Sequence, residues 1–353
     1  MLFLTIVIFI IILGLLIFVH EFGHFLSAKL CGVKVEEFGF GFPPKIFKFK
    51  RGETVYSLNL IPLGGFVKLL GEEEKIENPR SFNNQSIPKR IFIVTAGVLM
   101  NLIFAVVVLT IGFTIGMAPL VSNSRDIGGR QQTDIIIADT VKDSPAEKSG
   151  FSTGDIITGY NSIEDFQTFT KSHKNEEVTF QVKRDSKVSS VSVKLADSAE
   201  APLGVALVQA TQVKLPFFQA VRQAIVETGK TIGAVFKFLY DFFHNLLTGK
   251  EHVSEQVAGP VGIFSVTKQA VKLGISYVLQ FMALLSINLA IMNILPFPAL
   301  DGGKVVFLAL EGVRGKRVIK MEIENLIHWI GFAILIALIV LITYNDIVRL
   351  VRG

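Results

Sequence analysis

The chain is short of charge. Asp, Glu, Lys and Arg make up 18% of its 353 residues, where a soluble domain carries about a quarter. Half of the residues are apolar. An integral membrane protein is therefore expected, and an ordinary soluble chain is disfavoured. Cysteine occurs once, as Cys31, which excludes an internal disulfide. The N-terminal apolar run lacks a basic segment before it and a small-residue cleavage site after it, so it reads as a retained span. The net charge of +5 comes from Lys and Arg placed mostly beside apolar segments. That placement fits orientation in a membrane, and no nucleic-acid partner is expected.

Four segments are apolar enough to cross a bilayer, which takes about 20 residues each: roughly 2–27, 91–117, 277–298 and 328–350. Pro296 and Pro298 break the end of the third. Residues 28–90 hold short strands at Glu37–Phe42, Lys45–Lys50, Thr54–Leu60 and Phe66–Leu70. The alternation Phe38-Gly39-Phe40-Gly41-Phe42 suggests a sheet at the membrane that lines a cavity, because non-helical backbone survives at that depth only under cover. A small cytosolic hairpin is the alternative. Residues 120–210 are polar and read as an α+β domain, with strands at Asp134–Val141, Asp155–Tyr160, Val178–Arg184 and Val188–Leu195. Ser144 caps a short helix opening at Pro145 and stopping at Gly150, and a second helix lies near Ile163–Lys171. Residues 216–250, from Pro216 to Gly249, read as an interfacial amphipathic helix.

The predicted fold is thus a polytopic α-helical membrane protein with four transmembrane helices, a membrane-associated β-sheet and an inserted α+β domain. Its parts are 1–117, 120–210, 211–270 and 271–353. Basic residues crowd 28–90 and 299–327, which favours the cytoplasmic side for both and the outer side for the 120–210 domain and the termini.

His20, Glu21 and His24 form H-E-x-x-H inside the first apolar segment. On a helix His20 and His24 share a face, so two imidazoles can bind one Zn²⁺ while Glu21 takes a proton from its water. Ionisable residues within an apolar span are costly and are kept for function; the alternative is the polar end of a span. Two histidines leave a catalytic zinc one protein ligand short. His173, His244, His252 and His328 have poor settings. Asp301, in Asn293-Ile294-Leu295-Pro296-Phe297-Pro298-Ala299-Leu300-Asp301-Gly302-Gly303, is the strongest candidate. The prolines break the helix, and the glycines let the backbone turn after the acid. An exit loop with a capping Asp is the alternative.

H-E-F-G-H in the first span, with N-x-x-P-x-P-x-L-D-G at the end of a later one, resembles the site-2 protease family of intramembrane zinc metalloproteases, in its bacterial regulated branch. The resemblance extends over Phe38–Phe42, Tyr56–Gly65, Ala96-Gly97 through Asn101, and Gly259–Ile263. It implies that His20, His24 and Asp301 bind zinc, that Glu21 is the base, and that Asn293 holds substrate or stabilises the oxyanion. Phe38, Gly39, Phe40, Gly41 and Phe42, or a loop near them, would pair with an unwound substrate. Substrates would be single-pass membrane proteins, such as anti-sigma factors or signal-peptide remnants, and the site would lie toward the cytoplasmic side of a bacterial inner membrane. The 120–210 segment resembles a circularly permuted PDZ domain, which would take peptide C-termini or extended segments on the outer side. Two features depart from the family pattern. There is room for one such domain where one member of that branch carries two in tandem, and Val98 stands where proline is frequent.

Overall fold

The computed structural model describes residues 2–160, 162–184, 187–197, 201–248, 259–317 and 319–352. In chain order the elements are α1 (Leu2–Leu30), β1 (Val35–Arg51), β2 (Thr54–Leu69), α2 (Ile87–Ile115), β3 (Arg130–Thr140), the one-turn α3 (Pro145–Lys148), β4 (Ile156–Ile157), α4 (Ile163–Ser172), β5 (Glu177–Arg184), β6 (Lys187–Lys194), β7 (Val205–Lys214), α5 (Phe217–Thr248), α6 (Pro260–Leu273), α7 (Ile275–Ile294), α8 (Asp301–Arg314) and α9 (Met321–Arg352). Among the described residues, α1, α2, α7 and α9 are long and apolar enough to cross a membrane. The expected ends shift. α7 stops at Ile294, before Pro296, whereas α9 begins at Met321 instead of residue 328.

The chain divides into two compact units. The first comprises Met1–Val106, Thr231–Ser265 and Met282–Gly353. Here the four strands expected in residues 28–90 are two long bent ones, β1 and β2, paired antiparallel. Phe38 stands opposite both Tyr56 and Val67, and Gly39 opposite both Ser57 and Phe66. The first arm of β1 therefore lies inside the sheet, and the last arm of β2, Gly65–Leu69, forms an edge. The sheet leans on α1 through aromatic contacts. Phe38 meets Phe18 and Phe25 at centroid distances of 5.8 and 5.2 Å. The β1–β2 turn is clamped by Glu53, which accepts from Arg80 and from Lys29 at 2.6 and 2.7 Å. Arg80 and then Lys29 hold the Glu53 carboxyl down to about 2. The folded-state value lies below the unfolded one, so the clamp's contribution is whole above about 4.5 and is lost as pH falls toward 2.

The second unit comprises Val107–Lys230 and Val266–Phe281. It carries a five-stranded sheet in the order β6-β5-β4-β3-β7. Ile135, Ile137, Phe151, Ile157, Phe166 and Phe180 are the centre of its core. The Ser144 side chain accepts from the Glu147 amide, and Gly150 takes the left-handed conformation, φ 84°, that stops the turn. β7 corrects the expected division. It runs past residue 210 and pairs with β3 as far as Arg130↔Lys214, so a boundary there would cut a strand. α5 forms over Phe217–Thr248 and leaves Phe218, Ile225, Tyr240 and Leu247 exposed. Gly249, its expected stop, lies outside the described residues, as does His252.

One ion pair staples the sheet of the second unit. Asp155 is buried, accepts from the Ser152 amide at 2.9 Å and takes both Nε and Nη2 of Arg184 at 2.6 Å. Replacing Asp155 by Ala removes the charged acceptor shared by Arg184 and the Ser152 amide, a loss of about 2 kcal/mol. Hydrogen exchange at the β3 and β4 amides is expected to quicken about 30-fold. Unchanged protection would show that the pair does not hold the sheet.

Candidate active site

α1 runs unbroken through the motif, and His20, Glu21 and His24 lie in its second half. Both histidines present Nε2 to one point, 3.2 Å apart. Asp301 opens α8 and brings Oδ2 to the same point, 3.2 Å from His20 and 3.4 Å from His24. A tetrahedral zinc with bonds of about 2.0–2.1 Å holds its ligand atoms about 3.3 Å apart, so the three atoms fit that ion. Asp301 Oδ2 is buried without a hydrogen-bond partner, as suits an atom reserved for a metal. Burial alone would raise the Asp301 carboxyl, but the two imidazoles beside it outweigh that and hold it below the usual carboxylate range.

Helix packing sets this geometry. Gly97 of α2 faces the imidazoles: a Cβ there would collide with His24 Nε2 and stand 2.7 Å from His20 Cε1. Gly23 of α1 faces α2 in return, and a Cβ on it would meet the Ala96 carbonyl and Met100 Cγ, the latter at 2.8 Å. Small residues allow the two helices this approach. His24 Nδ1 donates to the Ile93 carbonyl at 2.8 Å, which fixes the proton there and leaves Nε2 free as a ligand.

The way Asp301 arrives differs from expectation. The tight turn precedes the acid, at Ala299, which takes φ 78°. Gly302 and Gly303 are already helical, and they are needed for closeness. A Cβ on Gly302 would run into the Ile294 and Leu295 carbonyls, and one on Gly303 into that of Phe297. The strained Ala299 is held by His328, whose Nδ1 accepts from the Ala299 amide at 2.9 Å. His328 thus supports the ligand's loop from α9, a role invisible in sequence because its partner is main chain. His173 and His244 lie outside the ligand group.

A cavity of about 440 Å³ contains the three ligand atoms' side chains, with Glu21, Asn293, Gly64–Val67 and Lys304 in its wall. Gly65 packs on Glu21, since a Cβ there would stand 2.8 Å from Glu21 Cγ. Lys304, one turn after Asp301, bonds Glu72 at 2.6 Å. Glu72 beside it raises the ammonium above its ordinary range, so the site keeps a fixed cation. The expected substrate strand sits elsewhere. Phe38, Gly39, Phe40, Gly41 and Phe42 belong to β1, and the first four do not line the cavity. Phe38 and Phe40 turn to α1, where the Phe40 ring meets Gly14. Both backbone edges of Phe38–Phe40 are taken by β2, and the edge arm of β2 reaches the cavity instead.

The profile of peptidase family M50 matches residues 8–338. The chain is 35% identical to a candidate zinc metalloprotease of Clostridium perfringens, over 94% of this chain and 95% of that one. It is 30% identical to the zinc metalloprotease RasP of Shouchella clausii, over 98% and 99% of the two chains. It is 31% identical to the regulator of sigma-W protease RasP of Bacillus subtilis, with the same coverage.

The closeness at Gly97 is testable. Gly97→Ala is expected to displace both imidazoles and weaken zinc binding about 100-fold in a chelator competition on the purified protein. Gly233→Ala, where an added Cβ meets nothing within 4 Å, is expected to leave it unchanged. Equal affinities would remove Gly97 from the account.

Proposed function

The chain belongs to peptidase family M50, and on that premise we propose that His20, His24 and Asp301 hold the zinc of an intramembrane metalloprotease with Glu21 as its general base. The protein is a zinc metalloprotease of the site-2 type, which cleaves within membranes. The observation that carries the residue roles is the convergence of three ligand atoms from α1 and α8 at mutual distances of 3.2–3.4 Å.

Zinc held by His20, His24 and Asp301 would supply Lewis acidity to the scissile carbonyl and to the attacking water. Glu21 takes the proton from the attacking water and delivers it to the leaving amine nitrogen. Asn293 donates its amide to the oxygen on which negative charge develops. A helical substrate hides its carbonyls, so it must unwind first. The extended segment then adds to the Gly65–Leu69 edge of β2, which supplies backbone partners beside Glu21. Phe38–Phe42 support that edge from within the sheet, in place of the direct contact expected of them.

The protein is an inner-membrane protein, as its bacterial relatives and four apolar helices indicate. The basic residues of 28–90 and 299–327 put the zinc site toward the cytoplasmic side and residues 120–210 outside. That segment acts as a PDZ domain: β7 is an edge strand that follows the Gly204 turn and lies beside α4, a place for an extended peptide or a peptide C-terminus. α5 lies in the interface, with its exposed aromatics in the headgroup region.

Two measurements test the site. Glu21→Gln is expected to slow cleavage of a single-span substrate about a thousandfold in detergent while zinc content stays whole; wild-type cleavage would remove Glu21 as base. In a protein with Cys31 replaced by Ser, a cysteine at Phe66 or Val67 is expected to form a disulfide with one in a substrate's unwound segment. Cysteines at Phe38 or Phe40 are not expected to, and the reverse pattern would return substrate pairing to β1.

A further inference from the structure

Asn101 lies on α2, one turn beyond Gly97, and is fully buried. Its side-chain amide stands 3.3 Å from Nδ1 of His20. Its main-chain carbonyl accepts from the hydroxyl of Ser286, also fully buried, at 2.8 Å. The amide is placed with nitrogen toward His20, and that leaves Oδ1 buried and without a partner. The two ends of a carboxamide are nearly the same size, so hydrogen bonding decides which way it points.

The ligand role of His20 decides it here. An imidazole that ligates through Nε2 carries its proton on Nδ1, and that N–H needs an acceptor. His24 has one in the Ile93 carbonyl. At the equivalent place beside His20 stands Asn101, and an amide N–H cannot donate to a nitrogen that already bears a proton. We infer that in the zinc-loaded protein Asn101 turns Oδ1 to the Nδ1–H of His20 and is the positioning residue for that ligand. This rests on His20 binding zinc. One rotation gives the orphaned oxygen a donor and the imidazole an acceptor. The Ser286 bond goes to the main chain, so it holds α7 against α2 whatever side chain residue 101 carries.

The test uses the full-length protein in detergent. It compares Asn101→Leu, Asn101→Asp, Ser286→Ala and His20→Ala by chelator competition for Zn²⁺, by the absorption spectrum of the Co²⁺-loaded protein, and by metal-free thermal melting. Asn101→Leu keeps the size and loses the acceptor. It is expected to bind zinc 10- to 100-fold more weakly and to shift the cobalt bands, with metal-free melting unchanged. Asn101→Asp keeps an acceptor and is expected to stay within a few-fold of wild type. Ser286→Ala is expected to leave zinc affinity alone. Wild-type zinc affinity in Asn101→Leu, with His20→Ala weakened, overturns the inference and spares the ligand reading. Wild-type affinity in His20→Ala overturns the ligand reading itself. If Asn101→Leu melts lower without metal, Asn101→Asp decides: affinity as poor as that of His20→Ala overturns the inference, and near-wild-type affinity upholds it.

Discussion

At Gly97, α2 comes so near the two imidazoles of α1 that one methyl group would collide with His24 Nε2. Everything else in the site is arranged around that approach. Gly23 makes it possible from the other side. Ile93 and Asn101, one turn before and one turn after Gly97, then fall opposite the Nδ1 atoms of His24 and His20. Packing in lipid gains nothing from hiding apolar surface, so close contact between small residues is what joins such helices. Here the same contact also orients His20 and His24, which on the proposed ligand set would tie affinity for zinc to the fit of two helices.

Asp301 is subject to a different constraint. Asp301 cannot come from a continuing helix, because α7 must end before Pro296 and a new helix must begin within a few residues. The chain manages this with a left-handed Ala299 and with glycines that press against the carbonyls ending α7. A residue at positive φ costs energy and persists only when its surroundings insist on it. His328 supplies the insistence from α9. α9 is the least covered of the four spans, yet it reaches the loop before Asp301 through this bond and through Gly331, which packs on Pro298.

The sequence makes the four spans legible because length and apolarity are enough to define one. It also makes Ser144 and Gly150 legible, since caps act on their own neighbours. α8 is not legible. Gly302-Gly303 reads as a turn when glycine is taken as conformational freedom, but here it serves as missing volume inside a helix. The sheet shows the same limit. Phe38–Phe42 alternates well enough to declare a strand, but which strand has a free edge depends on how β1 and β2 bend over each other, and that pairing is long-range. Asp301 is reachable from sequence as the acid that completes the His20 and His24 pair, some 280 residues earlier in the chain, whereas the left-handed turn at Ala299 that delivers it is not.

Buried polar groups without partners are few in a well-packed protein, and each asks for a reason. Arg90 and Asn59 each keep one idle atom on a side chain otherwise engaged, with Glu311 and with the Gly41 carbonyl. Asp301 Oδ2 and Asn101 Oδ1 are different, because both flank His20. One lies beside its Nε2 and the other belongs to the amide beside its Nδ1. A cation at Nε2 would satisfy the first directly. It would also fix the Nδ1 proton and so call the second oxygen into place. A zinc ion would thus give both oxygens a partner, and His20, His24 and Asp301 are spaced to hold one.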